Sequence, residues 1–288
     1  MTQADAAGSW KLGGDLEIAR MGYGAMQLAG HHVFGPPADR DRAERALRTA
    51  VELGVNHIDT SDYYGPYVVN DLIRETLSPY PDGLVLVTKI GARRDDTGQW
   101  LPAFSPDEIR SAVHDNLARL GVDRLDVVNL RPMEKGMSIA AAFTALAEAR
   151  EQGLIRHLGV SNVDAVQLKE AQGIAPVACV QNQYNVTDRA DDELVDLCAE
   201  QGIAFVPFFP LGSAFAPFDT SGLDPVAARH GVSGRQVALA WLLQRSPNIL
   251  VIPGSGDPDH VAQNVAAAAL TLTEEDLAEL SSSGSSGS

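Results

Sequence analysis

Short apolar runs alternate with longer segments of mixed character along most of the chain. The longer segments repeat apolar residues at intervals of three and four, as Ala43, Ala46 and Leu47 do within residues 39–53, and this spacing is typical of amphipathic helices. The short runs are rich in valine, isoleucine and leucine, as expected of strands that are buried on both faces. The pattern therefore predicts strands and helices in alternation.

The predicted elements repeat in the order strand, loop, helix and turn. Strands are predicted at residues 20–27, 55–59, 84–89, 125–130, 157–160, 177–180, 203–206 and 249–252. Helices are predicted at residues 39–53, 69–77, 105–120, 139–151, 163–171, 191–200, 235–244 and 258–268. A hairpin around Gly13 and Gly14 is predicted over residues 10–18, and a long polar loop over residues 91–104. This alternation predicts an α/β fold with a parallel sheet and right-handed crossovers.

Length and composition narrow the class of protein. A chain of 288 residues with 45% hydrophobic and 21% charged residues is typical of a globular protein, and a (β/α)8 barrel takes roughly 250 residues. We expect one domain at residues 1–280 and a flexible serine- and glycine-rich tail at residues 281–288. No apolar run approaches the ~18 residues that span a bilayer, and the first residues lack the apolar core of a signal peptide. A membrane protein is therefore not expected.

Charge and cysteine content bear on partners and compartment. The formal net charge of −16 argues against nucleic acid or anionic lipid as a partner, and no protein partner is evident. Cys179 and Cys198 are the only cysteines, and we expect both to be buried thiols in a reducing cytoplasm. The pair His31 and His32 has no carboxylate or cysteine at ligand spacing, so no metal site is predicted.

Polar residues stand at the carboxyl ends of several predicted strands. These residues are Asp59, Lys89, Arg131, Asn162, Gln183 and Ser255. In a barrel all these strand ends open on one mouth, where active sites of this fold lie, so we expect the side chains to form one site. Gly22 and Gly24 could belong to a phosphate loop, but the third glycine and the following helix are missing. A close approach of the backbone to a ligand at the barrel mouth is therefore favoured.

Three of the residues around this mouth, Asp59, Lys89 and Tyr64, could together form a proton-transfer group. Lys89 can stabilise the tyrosinate of Tyr64 and so lower the pKa of the phenol from its usual value near ~10, while Asp59 neutralises and orients the lysine. Tyr64 could then donate a proton to a developing alkoxide at neutral pH. Two alternatives stay open: Asp59 and Lys89 could form a purely structural ion pair, and Tyr63 could replace Tyr64.

At these residues the sequence resembles the aldo-keto reductases. Asp59-Thr60 with Tyr64-Gly65, and Thr88-Lys89 further on, match the motifs of that family, and the resemblance extends from Met21 to about Leu280. It implies a (β/α)8 TIM barrel, here with an N-terminal β-hairpin, that reduces carbonyl compounds with NADPH. Residues 22–30, 88–94, 126–131 and 208–212 are similar to the bacterial pyridoxal reductase subgroup, which reduces pyridoxal to pyridoxine.

Arg131 departs from the family pattern. The resemblance implies that Tyr64, Lys89, Asp59 and Arg131 are catalytic, yet most members have histidine at the position of Arg131. Arginine stays charged at any working pH and can donate two hydrogen bonds to an oxygen, but it cannot shuttle a proton. We expect it to polarise the substrate carbonyl or bind an anionic group. The alternative is that Arg131 pairs with a carboxylate such as Glu134.

The resemblance also implies which residues hold NADP(H) and the aldehyde. The cofactor is expected to contact Gly24, Ala25, Met26, Asp59, Ser161, Asn162, Gln183, Phe208, Leu211, Ser255, His260, Gln263 and Asn264. The substrate is expected to contact Tyr64, Arg131, Trp100 and Phe34. Ser161, Asn162 and Gln183 match the positions that hold the nicotinamide carboxamide. Phe208 matches the aromatic residue that stacks on the ring, although core packing would also explain it.

The segment expected to bind the adenosine 2′-phosphate carries less positive charge than is usual in the family. Gly254 stands where a lysine is often found, and His260 stands where arginine is usual. Ser255 and the following helix start remain as anion donors. We therefore expect a preference for NADPH over NADH, by a smaller margin than two charged residues would give.

Other functions fit the same residues. One is reduction of aldehydes and ketones in general, and another is a regulatory module that binds the cofactor but turns over slowly. A third is a Schiff-base aldolase on the same fold with Lys89 as the nucleophile. The complete set of Asp59, Tyr64 and Lys89 favours a reductase.

Overall fold

A two-stranded hairpin precedes the barrel. In the computed structural model, which describes residues 2–212 and 218–283, β1 (Ser9–Leu12) and β2 (Leu16–Ala19) pair antiparallel. Gly13 and Gly14 both have positive φ, which the tight turn requires. The apolar side chains of the hairpin pack with residues from the barrel interior, including Val85 and Val127. The predicted N-terminal hairpin is confirmed, and it closes the end of the barrel where the strands begin.

Nine further strands follow the hairpin. They are β3 (Tyr23–Gly24), β4 (His57–Asp59), β5 (Val85–Ile90), β6 (Ala92–Arg94), β7 (Trp100–Pro102), β8 (Leu125–Leu130), β9 (Ile155–Ser161), β10 (Val177–Gln181) and β11 (Ala204–Phe205). Seven of them form one parallel sheet in the order β11-β10-β9-β8-β5-β4-β3. Strands β6 and β7 form a separate antiparallel hairpin, so the prediction of an irregular loop was wrong here.

Residues 249–251 close the sheet into a barrel. Ile249 forms a parallel bridge with Phe205 in β11, and Val251 forms one with Met21 just before β3. The amide of Leu250 donates to the Phe205 carbonyl at 2.9 Å. These bridges take the place of the eighth strand predicted at residues 249–252. The predicted (β/α)8 barrel is thereby confirmed.

Ten α-helices accompany the strands within the described residues. They are α1 (Arg40–Glu52), α2 (Val68–Leu77), α3 (Pro106–Leu120), α4 (Ala140–Glu151), α5 (Ala165–Gln172), α6 (Asp192–Glu200), α7 (Asp224–His230), α8 (Gly234–Arg245), α9 (Pro258–Ala266) and α10 (Glu274–Ser283). Helices α7 and α10 were not predicted. Residues 20–27 were predicted as one strand, but only Tyr23–Gly24 is extended in the sheet, and Ala25–Leu28 forms a 3-10 helix.

Local sequence signals explain where several helices begin and end. Ser105 caps α3 and exchanges hydrogen bonds with Glu108, Pro106 fills the first turn, and Gly121 ends the helix in the left-handed conformation. Asp257 caps α9 in a similar way by accepting from the amide of Asp259 at 3.0 Å. The start of α9 is therefore fixed at the barrel mouth.

The C-terminal helix extends into the predicted tail. Ser281–Ser283 continue α10, and residues 284–288 of the predicted tail lie outside the described residues. Within residues 2–212 and 218–283 no helix is long and apolar enough to cross a membrane.

Candidate active site

The ends of β4 and β5 carry a buried ion pair. Lys89 Nζ donates a short hydrogen bond to an Asp59 carboxylate oxygen and a second bond of 3.0 Å to the Thr60 carbonyl. The side chains of lysine and aspartate are only 4% and 3% exposed. The two strands are aligned in parallel with Asp59 opposite Val87, so Lys89 stands two residues beyond this level and its long side chain reaches the carboxylate. The expected contact between Asp59 and Lys89 is present.

Gln181, which was not predicted as a site residue, completes the surroundings of Asp59. Its Nε2 donates to the second carboxylate oxygen at 2.7 Å, and its side chain is fully buried. Gln183, which was predicted, is exposed and donates to Asp188 at 2.7 Å. Alternate strand residues point to the same side, and Cys179 in β10 already faces the barrel interior. Gln181 has the same parity and is the last residue of β10, whereas Gln183 lies beyond the strand, and the structure does not bring Gln183 to the other side chains.

Tyr64 lies beside the ion pair with its ring close to the ammonium. Lys89 Nζ is 5.0 Å from the centre of the ring, and the tyrosine is 7% exposed. Burial raises the pKa of Tyr64 well above its ordinary value, and the Asp59 charge raises it further, while Arg131 lowers it. The expected depression of this pKa by Lys89 is therefore wrong for this structure. Because burial disfavours the charged tyrosinate, the phenol stays protonated.

Tyr63, the rival to Tyr64, is enclosed by other rings. Its ring contacts those of Tyr64 and Trp100 edge-on, with centroids 5.4 and 5.3 Å away. Its hydroxyl is buried and has no hydrogen-bond partner among the described residues. Tyr64 and not Tyr63 lines the cavity described below. The geometry favours Tyr64 as the proton donor.

Buried polar contacts hold the loop that carries both tyrosines. Ser61 Oγ donates to the Lys89 carbonyl at 3.0 Å, and the amide of Tyr67 donates to the Asp62 carbonyl at 2.7 Å. Thr60 Oγ1 donates to Asn70 at 2.8 Å. Burial raises the pKa of the Asp62 side chain to about 7, although hydrogen bonds from Ser61 and nearby groups act in the opposite direction.

Arg131 reaches from the end of β8 toward the same mouth. Its Nη1 donates to Ser161 Oγ at 3.1 Å, and its guanidinium carbon lies 4.9 Å from the centre of the Phe208 ring. Gly91 lets the backbone after β5 pack against that of Arg131, because a Cβ there would lie 2.4 Å from the Arg131 carbonyl oxygen. Among the described residues Arg131 has no ion pair with Glu134. The side chain therefore remains available on the mouth side of the barrel.

A cavity of about 360 Å³ opens beside these groups. Its lining includes eight of the predicted site residues: Gly24, Met26, Asp59, Tyr64, Lys89, Phe208, Leu211 and Ser255. Residues that were not predicted also line it, among them Gln27, Phe218 and Arg235. A Cβ on Gly254 would lie 2.3 Å from the Gly24 carbonyl oxygen, so the two backbones pack closely at one wall. This close approach at Gly24 is between two parts of the backbone, and the expected approach of Gly24 to a ligand stays a prediction.

Comparison with known proteins identifies the family. The model of the aldo/keto reductase family matches residues 20–284, which is most of the chain. The chain belongs to the aldo/keto reductase family.

Similar proteins agree with this assignment over nearly the full length. The pyridoxine 4-dehydrogenase of Escherichia coli (strain K12) is 57% identical over 274 residues, covering 93% of this chain and 95% of the relative. A thermostable aldo-keto reductase solved with the inhibitor epalrestat is 30% identical, with a TM-score of 0.82 and coverage of 95% and 98%. An aldo/keto reductase from Klebsiella pneumoniae, solved with NADP and acetate, is 25% identical, with a TM-score of 0.79 and coverage of 94% and 93%.

The remaining residues predicted for the nicotinamide end of this reductase lie at the ends of β9 and β3. Ser161 is buried and accepts the bond from Arg131. Asn162 has a positive φ of 56°, and its side chain donates to the Pro132 carbonyl at 3.1 Å. Ala25 is fully buried behind the cavity wall. Of these, Ser161 contacts the rest of the site directly through Arg131.

The residues predicted for the adenosine end lie around the start of α9. His260 lines a second cavity of about 700 Å³, together with Ser255, His31, His32 and Arg42. Arg42 forms a short ion pair with the helix cap Asp257. Gln263 and Asn264 lie on α9, where the first is exposed and the second is buried. Met26 and Ser255 line both cavities, so the second cavity adjoins the first.

The aromatic residues predicted to contact the substrate are joined by Arg94, which was not predicted. The Arg94 guanidinium carbon lies 4.1 Å from the Trp100 ring centre and 5.3 Å from that of Phe34. The same side chain donates to the Val33 and Gly98 carbonyls at 2.8 and 2.6 Å. Arg94 therefore fixes the loop after β3 against the β6–β7 hairpin. Trp100 in turn contacts Tyr63, which places this wall beside the ion pair.

Proposed function

We propose that this chain reduces an aldehyde to an alcohol with NADPH, with pyridoxal as the substrate and pyridoxine as the product. The observation that carries the proposal is the group formed by Asp59, Lys89 and Tyr64 on the wall of a cavity that also contains Phe208. Membership of the aldo/keto reductase family supports the reaction class. The 57% identity to a pyridoxine 4-dehydrogenase supports the substrate, because the reverse of that oxidation is the proposed reduction.

The cavity fits a nicotinamide dinucleotide. Near Tyr64 its wall includes the aromatic ring of Phe208 and the apolar side chain of Leu211, which suit a planar ring. Further along it includes Ser255, just before the start of α9, where backbone amides favour phosphate. A Cβ on Gly256 would meet only one backbone oxygen, at 3.4 Å, so this strip of backbone remains accessible. When bound, NADPH would supply the hydride for the carbonyl carbon.

Tyr64 would supply the proton. Its raised pKa keeps the phenol protonated until a stronger base forms, and the alkoxide that develops during reduction is such a base. The nearby ammonium of Lys89 can then stabilise the tyrosinate, while Asp59 and Gln181 hold the lysine in place. In this proposal the ion pair is part of the proton-transfer group and not only structural.

Arg131 would orient the carbonyl oxygen. Its guanidinium is held by Ser161 and lies over the Phe208 ring, so its remaining N–H groups can donate to an oxygen near that ring. Because arginine keeps its charge, this contact would not titrate over the working pH range. The aromatic wall of Trp100 and Phe34 would cover the flat ring of the substrate.

The alternative of a Schiff-base aldolase finds little support in the geometry. An amine nucleophile must be uncharged and reachable, whereas Lys89 is 4% exposed and bonded to both Asp59 and Thr60. A slow-turnover regulatory module and a general aldehyde reductase share the site, and turnover measurements separate them. The proposal requires NADPH oxidation with pyridoxal at a rate that exceeds that with unrelated aldehydes of similar reactivity.

The test replaces each tyrosine in turn. Tyr64→Phe should lower the rate of pyridoxal reduction by ~10²–10⁴-fold, the usual contribution of a general acid. NADPH affinity, measured by fluorescence titration, should change little. Tyr63→Phe is the matched control, because it removes a buried hydroxyl next to the same site and should keep most of the activity. A Tyr64→Phe variant near the parent rate would contradict the assignment.

We also propose one catalytic domain over residues 1–280, a small-molecule aldehyde as the partner, and a cytoplasmic setting. The support for the compartment is that Cys179 and Cys198 are both free and buried, and burial raises the pKa of each thiol to about 12. Such thiols are typical of reducing compartments.

A further inference from the structure

The cavity beside Tyr64 contains an unbalanced positive charge. Three of its described lining residues carry a formal charge: Asp59, Lys89 and Arg235. The first two neutralise each other in the buried ion pair. Arg235 is exposed and forms no ion pair with any residue in the ranges 2–212 and 218–283. In a chain with a net charge of −16, this cation is not explained by pairing or by core packing.

Arg235 lines the same cavity as the proton-transfer group but stands on a helix, α8. It stands in the first turn of α8, and the helices of a barrel that precede a strand begin at the mouth. The neighbouring Gln236 donates to the Gln263 carbonyl of α9 at 3.1 Å, so the starts of the two helices are fixed side by side. Ser255 and Gly256, which directly precede the start of α9, line the same cavity as Arg235.

Other groups near this end offer little free positive charge. Gly254 has no side chain, and Arg42 is engaged by Asp257. His260 Nδ1 lies 3.8 Å from the same carboxylate, and its side chain is 53% exposed. Arg235 would thus be the strongest unpaired cation for an anionic group that binds beside Ser255.

We infer that Arg235 binds the adenosine 2′-phosphate of NADPH and selects this cofactor over NADH. The inference rests on the proposed use of NADPH. A guanidinium can donate two parallel hydrogen bonds to a phosphate, which gives both affinity and geometric selectivity. Arg235 thereby supplies the charge that Gly254 does not, from a different helix.

The experiment measures binding of two adenosine fragments by isothermal titration calorimetry. The probes are 2′,5′-ADP, which carries the 2′-phosphate, and 5′-AMP, which lacks it. Arg235→Met should weaken binding of 2′,5′-ADP by roughly 10- to 100-fold, the range of one charged hydrogen bond, and change that of 5′-AMP by less than about twofold. Arg235→Lys should recover part of the loss. Arg124→Met is the control, since it removes an equally exposed arginine that precedes β8 at the opposite end of the barrel.

The possible outcomes separate this inference from the proposed function. Equal weakening of both fragments would mean that Arg235 contacts the adenine or the 5′-phosphate, and no weakening would mean that it binds neither; each overturns the inference. If the parent protein prefers NADPH and Arg235→Met retains that preference, the inference fails while the proposed function stands. If the parent binds NADPH and NADH equally, the proposed cofactor itself is wrong.

Discussion

Removal of Lys89 tests whether the buried ion pair governs both stability and catalysis. Lys89→Met replaces the amine by a side chain of similar length and leaves the Asp59 carboxylate without its cation, in a site where the two side chains are 4% and 3% exposed. Removal of one member of a buried pair costs about 3–5 kcal/mol. Asp59 keeps the 2.7 Å hydrogen bond from Gln181, so we expect a loss near the lower limit, about 3 kcal/mol.

A double variant also removes the charge that Lys89→Met leaves unpaired on Asp59. Asp59→Asn combined with Lys89→Met keeps an oxygen that can accept from Gln181 and leaves no unpaired ion in the barrel. We expect the double variant to recover at least half of the lost stability, because the cost of the single change comes mainly from the isolated carboxylate. Neither variant should reduce pyridoxal at an appreciable rate, because both lack the ammonium beside Tyr64.

Urea unfolding at neutral pH measures the free energy of unfolding of the parent and both variants. A loss below about 1 kcal/mol for Lys89→Met would refute the account of the pair as a buried charge that needs its partner. A double variant no more stable than the single one would also refute it. If the double variant keeps substantial reductase activity, the pair is structural and the proposed proton-transfer group is wrong.

Three further predictions concern other residues of the barrel. Arg131→Leu should lower kcat/KM by roughly two to three orders of magnitude, as expected for a lost donor to a developing oxyanion. Arg131→Lys should recover only part of this loss. An unchanged kcat/KM with altered thermal stability would point to a structural role. Burial raises the pKa of Asp62 from its ordinary value of 3.8 to about 7 in the folded chain, so the carboxyl takes up a proton on folding, and the stability contributed by this proton uptake is lost as pH rises through that window. Relative to the parent, Asp62→Asn should gain up to about 4 kcal/mol between pH 4 and 8, measured by urea unfolding at both pH values; a constant difference would contradict the shift. Gly159→Ala would place its Cβ 2.0 Å from Asn129 Oδ1, so we expect about 1–3 kcal/mol of destabilisation in urea unfolding. Gly173→Ala is the control and should be nearly neutral, because its nearest contact would lie at 3.3 Å.

The residues of the proton-transfer group could be predicted because the sequence features that identify them lie within a few positions of each residue. Asp59 and Lys89 each follow an apolar run directly, and Tyr64 lies within the short loop after β4. Spacing along the chain was therefore enough to name them and to place them at one mouth. Their protonation was not predictable in the same way. The pKa of Tyr64 depends on how completely the surrounding loops bury it, and burial raises this pKa more than the Arg131 charge lowers it.

The helices and the closed barrel were also largely determined by the sequence itself. Apolar spacing and capping residues such as Ser105 and Gly121 act over a few positions, so they indicate α3 and its ends without reference to the rest of the chain. The β6–β7 hairpin was missed, because its two strands are short and only one of its residues, Ala92, is buried. Short and mostly exposed strands contain too few apolar residues to show a clear alternating pattern in the sequence.

The tertiary structure decided which side chains meet. Gln181 and Asp59 are 122 residues apart, and only the order and register of the strands bring their side chains together across the barrel. Gln181 and Gln183 are two positions apart and would face the same side of a strand, so the end of β10 at Gln181 had to be seen before the two could be distinguished. Arg235 is a further case: its sequence neighbours identify an ordinary helix start, and its position in the cavity follows from the packing of α8 beside α9. Local forces thus determined the elements, and contacts between distant segments determined the site.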